Sequence, residues 1–298
     1  MNPILNKNQR RGIFDIDQDL TYDERNINAL GIDSTGCAAK INIIGEKYPY
    51  VNVRLNGSTD GRVNFTTDIE NGKLKIKLEL ELRYPLNDRS SFEFYTSTAL
   101  SSNMRVEEGK LTHNGVNDVT LDVYIPKKVL DSLDIETISG DVKLEKIAAR
   151  QMDLAIEGKS NLDMNNTNAE RLDVRIADGH VLGERLDIDE ITSISGNGFQ
   201  EYNGSFKQLD LKASVGNIHV ETVAQNDMTI NAITRRGNVS AKLGNIGESD
   251  VELIAPRDGA NNSPAKLGGD YAARGSLKTY DGLVYYAAQK YFVPELVR

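Results

Sequence analysis

LDIETISGDV (Leu133–Val142), MDLAIEGKSN (Met152–Asn161), LDVRIADGHV (Leu172–Val181), LDLKASVGNI (Leu209–Ile218) and MTINAITRRGNV (Met228–Val239) are variants of one phrase. Each alternates apolar and polar residues and then turns at a glycine. DEITSISGNG (Asp189–Gly198) is a weaker copy that fills the gap. The phrase returns about every 20 residues, and a period this short marks an architecture stacked unit upon unit. A single copy has too little apolar surface to bury itself, so the copies must share one interior. Parallel stacking at a strand spacing of about 4.8 Å achieves this.

Aligned on their turn glycines, the copies bring Gly140, Gly158, Gly179, Gly196, Gly216 and Gly237 to one corner. Glycine tolerates the positive φ that a sharp corner demands. The adjacent Asp141, Asn197, Asn217 and Asn238 suit the same bend. The step from Gly179 to Gly196 is the shortest and predicts a locally irregular repeat. Two short strands are expected per copy; in the first they hold Leu133 and Ile135, then Val142 and Leu144.

Outside the repeats the period of two persists. In KLKIKLELELR (Lys73–Arg83), Leu74, Ile76, Leu78, Leu80 and Leu82 share one face, while Lys73, Lys75, Lys77, Glu79, Glu81 and Arg83 share the other. A helix would scatter those leucines, so the segment reads as a half-buried strand. Val51, Val53 and Leu55 alternate with Asn52, Arg54 and Asn56, and Val119, Leu121, Val123 and Ile125 repeat the pattern up to Pro126. Residues 85–115, rich in Ser, Asn and Thr, read as an excursion between strands, and Lys127–Ser132 as one helical turn. Ala272–Ala287 (AARGSLKTYDGLVYYA) is a further copy in which Tyr285 and Tyr286 face opposite ways, and the tail to Arg298 is expected to cap the stack. The expected organisation is a frayed extension over 1–30, a β-rich part over 31–125, and repeats with a C-terminal cap over 126–298.

The 298 residues carry a formal net charge of -9 and no Trp, so Leu, Ile and Val must build the core. The acidic balance argues against a nucleic-acid partner, which needs clustered Lys and Arg. No apolar run reaches the roughly 20 residues that cross a bilayer as a helix, so direct membrane insertion is not expected. Cys37 is the only cysteine and reads as a structural thiol. At the N-terminus Arg10 and Arg11 have no apolar stretch behind them, so the segment does not read as a signal peptide. Either a cytoplasmic location or an ectodomain lacking its targeting part is expected.

IPKKVLDSLDIETISGDVKLEKI (Ile125–Ile147) resembles the opening motif of the repeat region in the DUF4097 putative-adhesin family of bacterial β-strand-repeat proteins. There a Pro-Lys dipeptide leads into a Ser-Leu-x-Ile strand and a Ser-Gly-Asp turn. The later Gly-Asn and Asp-Gly turns and the GSLKTYDGLVYY ending fit the same pattern, so the resemblance spans about Ile27 to Tyr286. It implies an all-β fold, a right-handed single-stranded parallel β-solenoid with a β-rich N-terminal part. It also implies attachment to bacterial surfaces or envelope-sensing systems, and brings no catalytic residues.

The most suggestive chemistry is an acidic row. Asp134, Asp153, Asp173, Glu190 and Asp210 take the same offset in successive copies, followed by Thr229. Like charges about 5 Å apart repel by roughly 1 kcal/mol or less in water. A solvated face is the first expectation, weak cation binding the second, a catalytic carboxylate pair the third. The calcium-binding nonapeptide and EF-hand patterns are absent. His113, His180 and His219 show no metal-ligand spacing and read as exposed or turn residues. Arg235 and Arg236 read as solvated, and the Tyr-rich ending (Tyr271, Tyr280, Tyr285, Tyr286, Tyr291) as cap packing ahead of a carbohydrate or protein platform. No catalytic residue, cofactor or metal site is assigned. The expected function is a non-enzymatic surface or envelope interaction module, with the acidic row as its interaction face and a protein or surface polysaccharide as partner. Homo-oligomerisation through exposed stack ends is a further expectation. The alternatives are an intracellular or envelope-stress sensory scaffold that binds a protein, and a polysaccharide lyase-type enzyme.

Overall fold

In the computed structural model of the protein, residues 14–59, 62–81, 104–107, 110–113, 117–256, 260–262 and 269–289 are described. The N-terminal strands are β1 (Phe14–Asp23), β2 (Ala29–Gly36), β3 (Lys40–Glu46), β4 (Tyr50–Thr59), β5 (Arg62–Glu70), β6 (Lys73–Glu81), the hairpin β7 (Met104–Glu107) and β8 (Lys110–His113), and β9 (Asn117–Pro126). The repeats form β10 (Val129–Thr137), β11 (Val142–Glu145), β12 (Ala148–Lys159), β13 (Leu162–Asn165), β14 (Asn168–Asp178), β15 (Val181–Asn197), β16 (Gln200–Val215), β17 (Ile218–Val223), β18 (Met228–Arg236) and β19 (Val239–Gly244). The last strands are β20 (Ile246–Ile254), β21 (Ala260–Asn262), β22 (Tyr271–Thr279) and β23 (Val284–Gln289). The fold is all-β, and among the described residues the strands are accompanied by one short 3-10 turn at Glu24–Asn26.

The strands form two stacks of parallel neighbours, and each repeat adds one strand to each stack. The first stack climbs β6, β2, β10, β12, β14, β15, β16, β18, β22, β20. The second climbs β9, β3, β11, β13, β15, β16, β17, β19, β23, β21. Strands β15 and β16 bend from one stack into the other. The ladders β2–β10 and β3–β11 join strands that precede and follow residue 126 in the chain. Chain order and spatial order part at each end: β2 and β3 lie inside β6 and β9, and β22 and β23 lie inside β20 and β21. The copy at Ala272–Ala287 therefore rests directly on β18 and β19, and β20 is the outer strand of its stack among the described residues. On the N-terminal flank β4 joins β9 antiparallel, β1 joins β4 antiparallel, and β5 joins β6 antiparallel. Phe14–Asp23, expected to be frayed, is thus a paired strand.

The predicted alternation supplies the core. Leu133, Leu172, Leu209 and Ile230 of one stack, and Val142, Leu162, Val181 and Ile218 of the other, are 0–1% exposed. Leu74, Ile76 and Leu78 are buried beside them, as are Val51, Val53, Leu55, Leu121 and Val123; Leu82 lies outside the described residues. Tyr286 packs inward while Tyr285 faces out, as the alternation required. Cys37 is buried at the corner between β2 and β3. Lys127–Ser132 is not a helical turn. Leu130 and Leu133 point inward from β10, which takes ladder bonds from β2 on one side and β12 on the other.

The corner column differs from the one read off the glycines. Gly140, Gly179, Gly198, Gly216 and Gly237 hold positive φ, and Ser160 takes the place in the Met152 copy. Gly158 and Gly196 come two residues too early. With Gly198 in the column, the short step from Gly179 disappears. Register breaks fall instead between Ile156 and Lys159 and between Gly183 and Leu186. Beside the glycines runs a row of side-chain acceptors that tie one rung to the next. Asp141 Oδ1 accepts from the Asn161 N–H (2.9 Å), Asn217 Oδ1 from Asn238 (2.8 Å) and Asn238 Oδ1 from Leu283 (2.9 Å). The position expected for Asn197 is held by Phe199, which donates its N–H to His180 Nδ1 but has no side-chain acceptor to pass on.

Candidate functional site

Asp134, Asp153 and Asp173 stand in adjacent registers on the outer side of the first stack. The next places belong to Thr192, Asp210 and Asn231. Glu190 is not in this row. It lies two residues earlier, between Arg171 and Gln208, because Ile191 is the residue that stacks on Leu172. Thr229 is displaced in the same way, since Ile230 stacks on Leu209.

The row is half-buried, and most of its charge is met by neighbouring cations. Lys73 Nζ reaches Asp134 Oδ2 at 2.5 Å by crossing Gly31, which has no side chain in the way. Arg171 Nε lies 2.8 Å from Asp173 Oδ2, and Lys212 Nζ 3.2 Å from Asp210 Oδ2. Asp153 instead receives the Gln151 amide at 2.8 Å. Burial pushes its carboxyl above the ordinary aspartate value, and the flanking Asp134 and Asp173 push it further, against the Gln151 bond. A carboxyl whose pKa is raised by folding costs stability once it ionises. Asp153→Asn is therefore expected to raise the melting temperature at pH 7. The gain should shrink as pH falls through the raised folded value towards the ordinary one, which paired thermal melts at pH 7 and pH 3.5 measure.

Among the described residues, no group of three or more His, Cys, Asp and Glu is placed to hold a metal ion. His180 belongs to the corner row. Its Nδ1 accepts from the Phe199 N–H at 3.2 Å, and the two rings stack at 4.0 Å. His219 lies 3.6 Å from Glu221. The side chain of His113 lies outside the described residues, as does Tyr291. Arg235 and Arg236 are exposed. The remaining C-terminal tyrosines do not form a plate: Tyr280 lies under Lys278, and Tyr286 is buried with its hydroxyl 2.6 Å from Ser249.

A cleft that the repeat pattern does not announce lies at the N-terminal end, on the outer face of β1, β4 and β9. Antiparallel pairing sets Asn52 between Thr21 and Tyr124, and Arg54 between Asp19 and Asp122. Tyr48 and Tyr50 stack at 5.7 Å with 19° between their planes, and they are 56% and 40% exposed. The Arg54 guanidinium sits 5.6 Å from the Tyr124 ring centre, and its Nε donates to Asp19 Oδ2 at 3.0 Å. The resulting cleft of about 640 Å³ is also bounded by Glu46 and Thr21. A second hollow of about 560 Å³ shares Thr21 and Tyr50.

Asn52 forms the floor. It is 8% exposed although its strand position points outward. Its Nδ2 donates to Asp19 Oδ1 and, at 3.2 Å, to Thr21 Oγ1, which fixes the amide's orientation. Its Oδ1 is buried and has no hydrogen-bond partner. A signal was present in the sequence: Tyr48-Pro49-Tyr50 is an aromatic pair in a chain with only 6% aromatic residues.

A family model described as Toastrack DUF4097 matches residues 27–255. No curated protein matches the chain significantly. Among solved structures, a putative adhesin from Bacteroides fragilis shares 11% identity, with 92% of this chain and 97% of that one covered and a TM-score of 0.44. A putative lipid binding protein from Parabacteroides distasonis shares 14%, covering 91% and 96% with a TM-score of 0.39. A putative cell adhesion protein from Clostridium sporogenes shares 8%, covering 93% and 100% with a TM-score of 0.25.

Proposed function

The chain belongs to the Toastrack DUF4097 family, and on that premise we propose that it is a non-enzymatic interaction module of a bacterial surface or envelope. We read its two stacks as a right-handed β-solenoid, because crossovers between parallel strands of one sheet are almost always right-handed. The observation that carries the functional reading is the register of Asp134, Asp153 and Asp173 on one outer face. Parallel neighbours hold like side chains at about 4.8 Å, a spacing that suits an extended partner. Of the three, Asp153 is the one whose contact is an amide, and a cation brought by a partner would relieve its two carboxylate neighbours. The outer strand β20 supports a further reading, edge association between copies.

The test is binding to a panel of cell-wall polysaccharides and host matrix proteins, with and without calcium. Saturable binding to one class is expected. Asp134→Asn, Asp153→Asn and Asp173→Asn combined should weaken it about tenfold or more. The reading fails if the wild type binds nothing, or if the triple variant, shown folded by its thermal melt, binds equally well.

A further inference from the structure

We propose that the N-terminal cleft is a binding site for a neutral saccharide, seated on Tyr48 and Tyr50 with a hydroxyl donated to Asn52 Oδ1. Two independent observations carry this. One is the aromatic pair, two large rings stacked nearly parallel at 5.7 Å, Tyr48 in the turn before β4 and Tyr50 at its first position, both left open to solvent. Amphipathic rings exposed in this way are typical of recognition surfaces. The other is the Asn52 carbonyl. A buried polar oxygen without a partner is costly to leave unmet; Asn52 lines the cleft, so a small shift of its covered amide on ligand entry would present this oxygen to a donor there.

The charges select the ligand class. Arg54 and Asp19 neutralise each other across the cleft at 3.0 Å. A phosphate or other anion would meet Asp19 and Glu46, and a cation would meet Arg54. A pyranose carries no charge, presents an apolar C–H face to stack on tyrosine, and offers hydroxyls that both donate and accept. Asn52 Oδ1 and the carboxylates take its donated hydrogens, and the outer guanidinium N–H groups of Arg54 serve as donors. The site lies on the N-terminal flank, on strands that do not carry the acidic row, so it is independent of the face invoked above.

The experiment is calorimetric titration of the full chain with neutral oligosaccharides of different composition, chosen from an array. Saturable binding of one class is expected, weakened about tenfold or more by Tyr50→Ala and by Tyr48→Ala. Tyr48 is more than half exposed, so its truncation leaves the fold intact, which a melt confirms. The combined Asp134, Asp153 and Asp173 to Asn variant should bind the saccharide as the wild type does. Absence of saturable binding to every neutral saccharide, or binding unchanged in both tyrosine variants, overturns this inference. If a matrix protein is still captured through the acidic row in that case, the proposed function survives while the saccharide site does not. If the saccharide binds through the tyrosines and the acidic-row variants change nothing elsewhere, the reverse holds.

Discussion

Gly216→Ala is expected to destabilise the protein by about 3 kcal/mol or more, a loss that urea or thermal unfolding reads directly. Gly216 has a φ of 140°, outside the range that an L side chain adopts without strain. A methyl group there would lie 1.6 Å from the carbonyl oxygen of Gly198 and 2.5 Å from its carbon. Both atoms are backbone, held by the Gly198 N–H bond to Val215 O at 2.9 Å and by the Gly216 N–H bond to Arg236 O at 2.7 Å. Relief requires separating two rungs, and in a stack that opens the shared interior above and below. Gly31→Ala is the control. Its methyl would meet the Lys73 side chain at 2.8 Å, and a lysine stem can swing away. That variant should stay within about 1 kcal/mol of wild type, at the expense of the Lys73–Asp134 pair. Equal melting of the two variants would show that the corner column does not hold the stack together.

The second large effect lies inside. Tyr202→Ala should cost about 3–5 kcal/mol, whereas Tyr202→Phe should stay within about 1 kcal/mol of wild type in either direction. Tyr202 is completely buried, and its ring lies over Gly183 in the rung below. A β-carbon on Gly183 would stand 2.5 Å from Leu186 Cδ1 and in ordinary contact, 3.4 Å, with the ring, so the absent side chain leaves room chiefly for Leu186 beside Tyr202. Removing the ring leaves a cavity that nothing on the neighbouring rung can fill. The hydroxyl is another matter. Burial pushes its pKa well above the ordinary phenol value; it faces Ser193, yet neither oxygen makes a hydrogen bond of normal geometry. Losing it exchanges a desolvated polar group for a C–H. A Tyr202→Phe loss as large as that of Tyr202→Ala would mean that the hydroxyl, rather than the ring, stabilises this rung.

The same rung explains why the weak copy at Asp189–Gly198 is weak. Ser193, Ser195, Gln200 and Tyr202 occupy interior places held elsewhere by Val174, Ile176, Val181, Ile218 and Val220. Gln200 Nε2 donates to Ser195 Oγ at 2.8 Å and to Lys212 O at 2.7 Å. A polar interior replaces the aliphatic one, so the hydrophobic signature fades while the backbone ladder continues unchanged.

Much of the fold was legible in the chain. Alternation in Lys73–Glu81 and in each repeat assigns strands and their buried faces, because side chains leave a strand on opposite sides in turn. The repeat length implies stacking, because one copy cannot bury itself. The opposed faces of Tyr285 and Tyr286 follow from the same rule. Register did not follow. A slip of two residues keeps every side chain on its own face, so Glu190 and Thr192, or Gly196 and Gly198, satisfy the pattern equally well. Only the ladder between β14 and β15 places Thr192 beside Asp173. The inversion of rung order at both ends was also hidden, since similar alternation does not say which rung a strand joins. The cleft was the least visible feature. Its residues come from β1, the turn before β4, β4 itself and β9, which antiparallel pairing brings together from distant parts of the chain. Local pattern therefore determined which side of each strand is buried; tertiary pairing alone decided which residues stand side by side, because backbone hydrogen bonds set register and side-chain polarity does not.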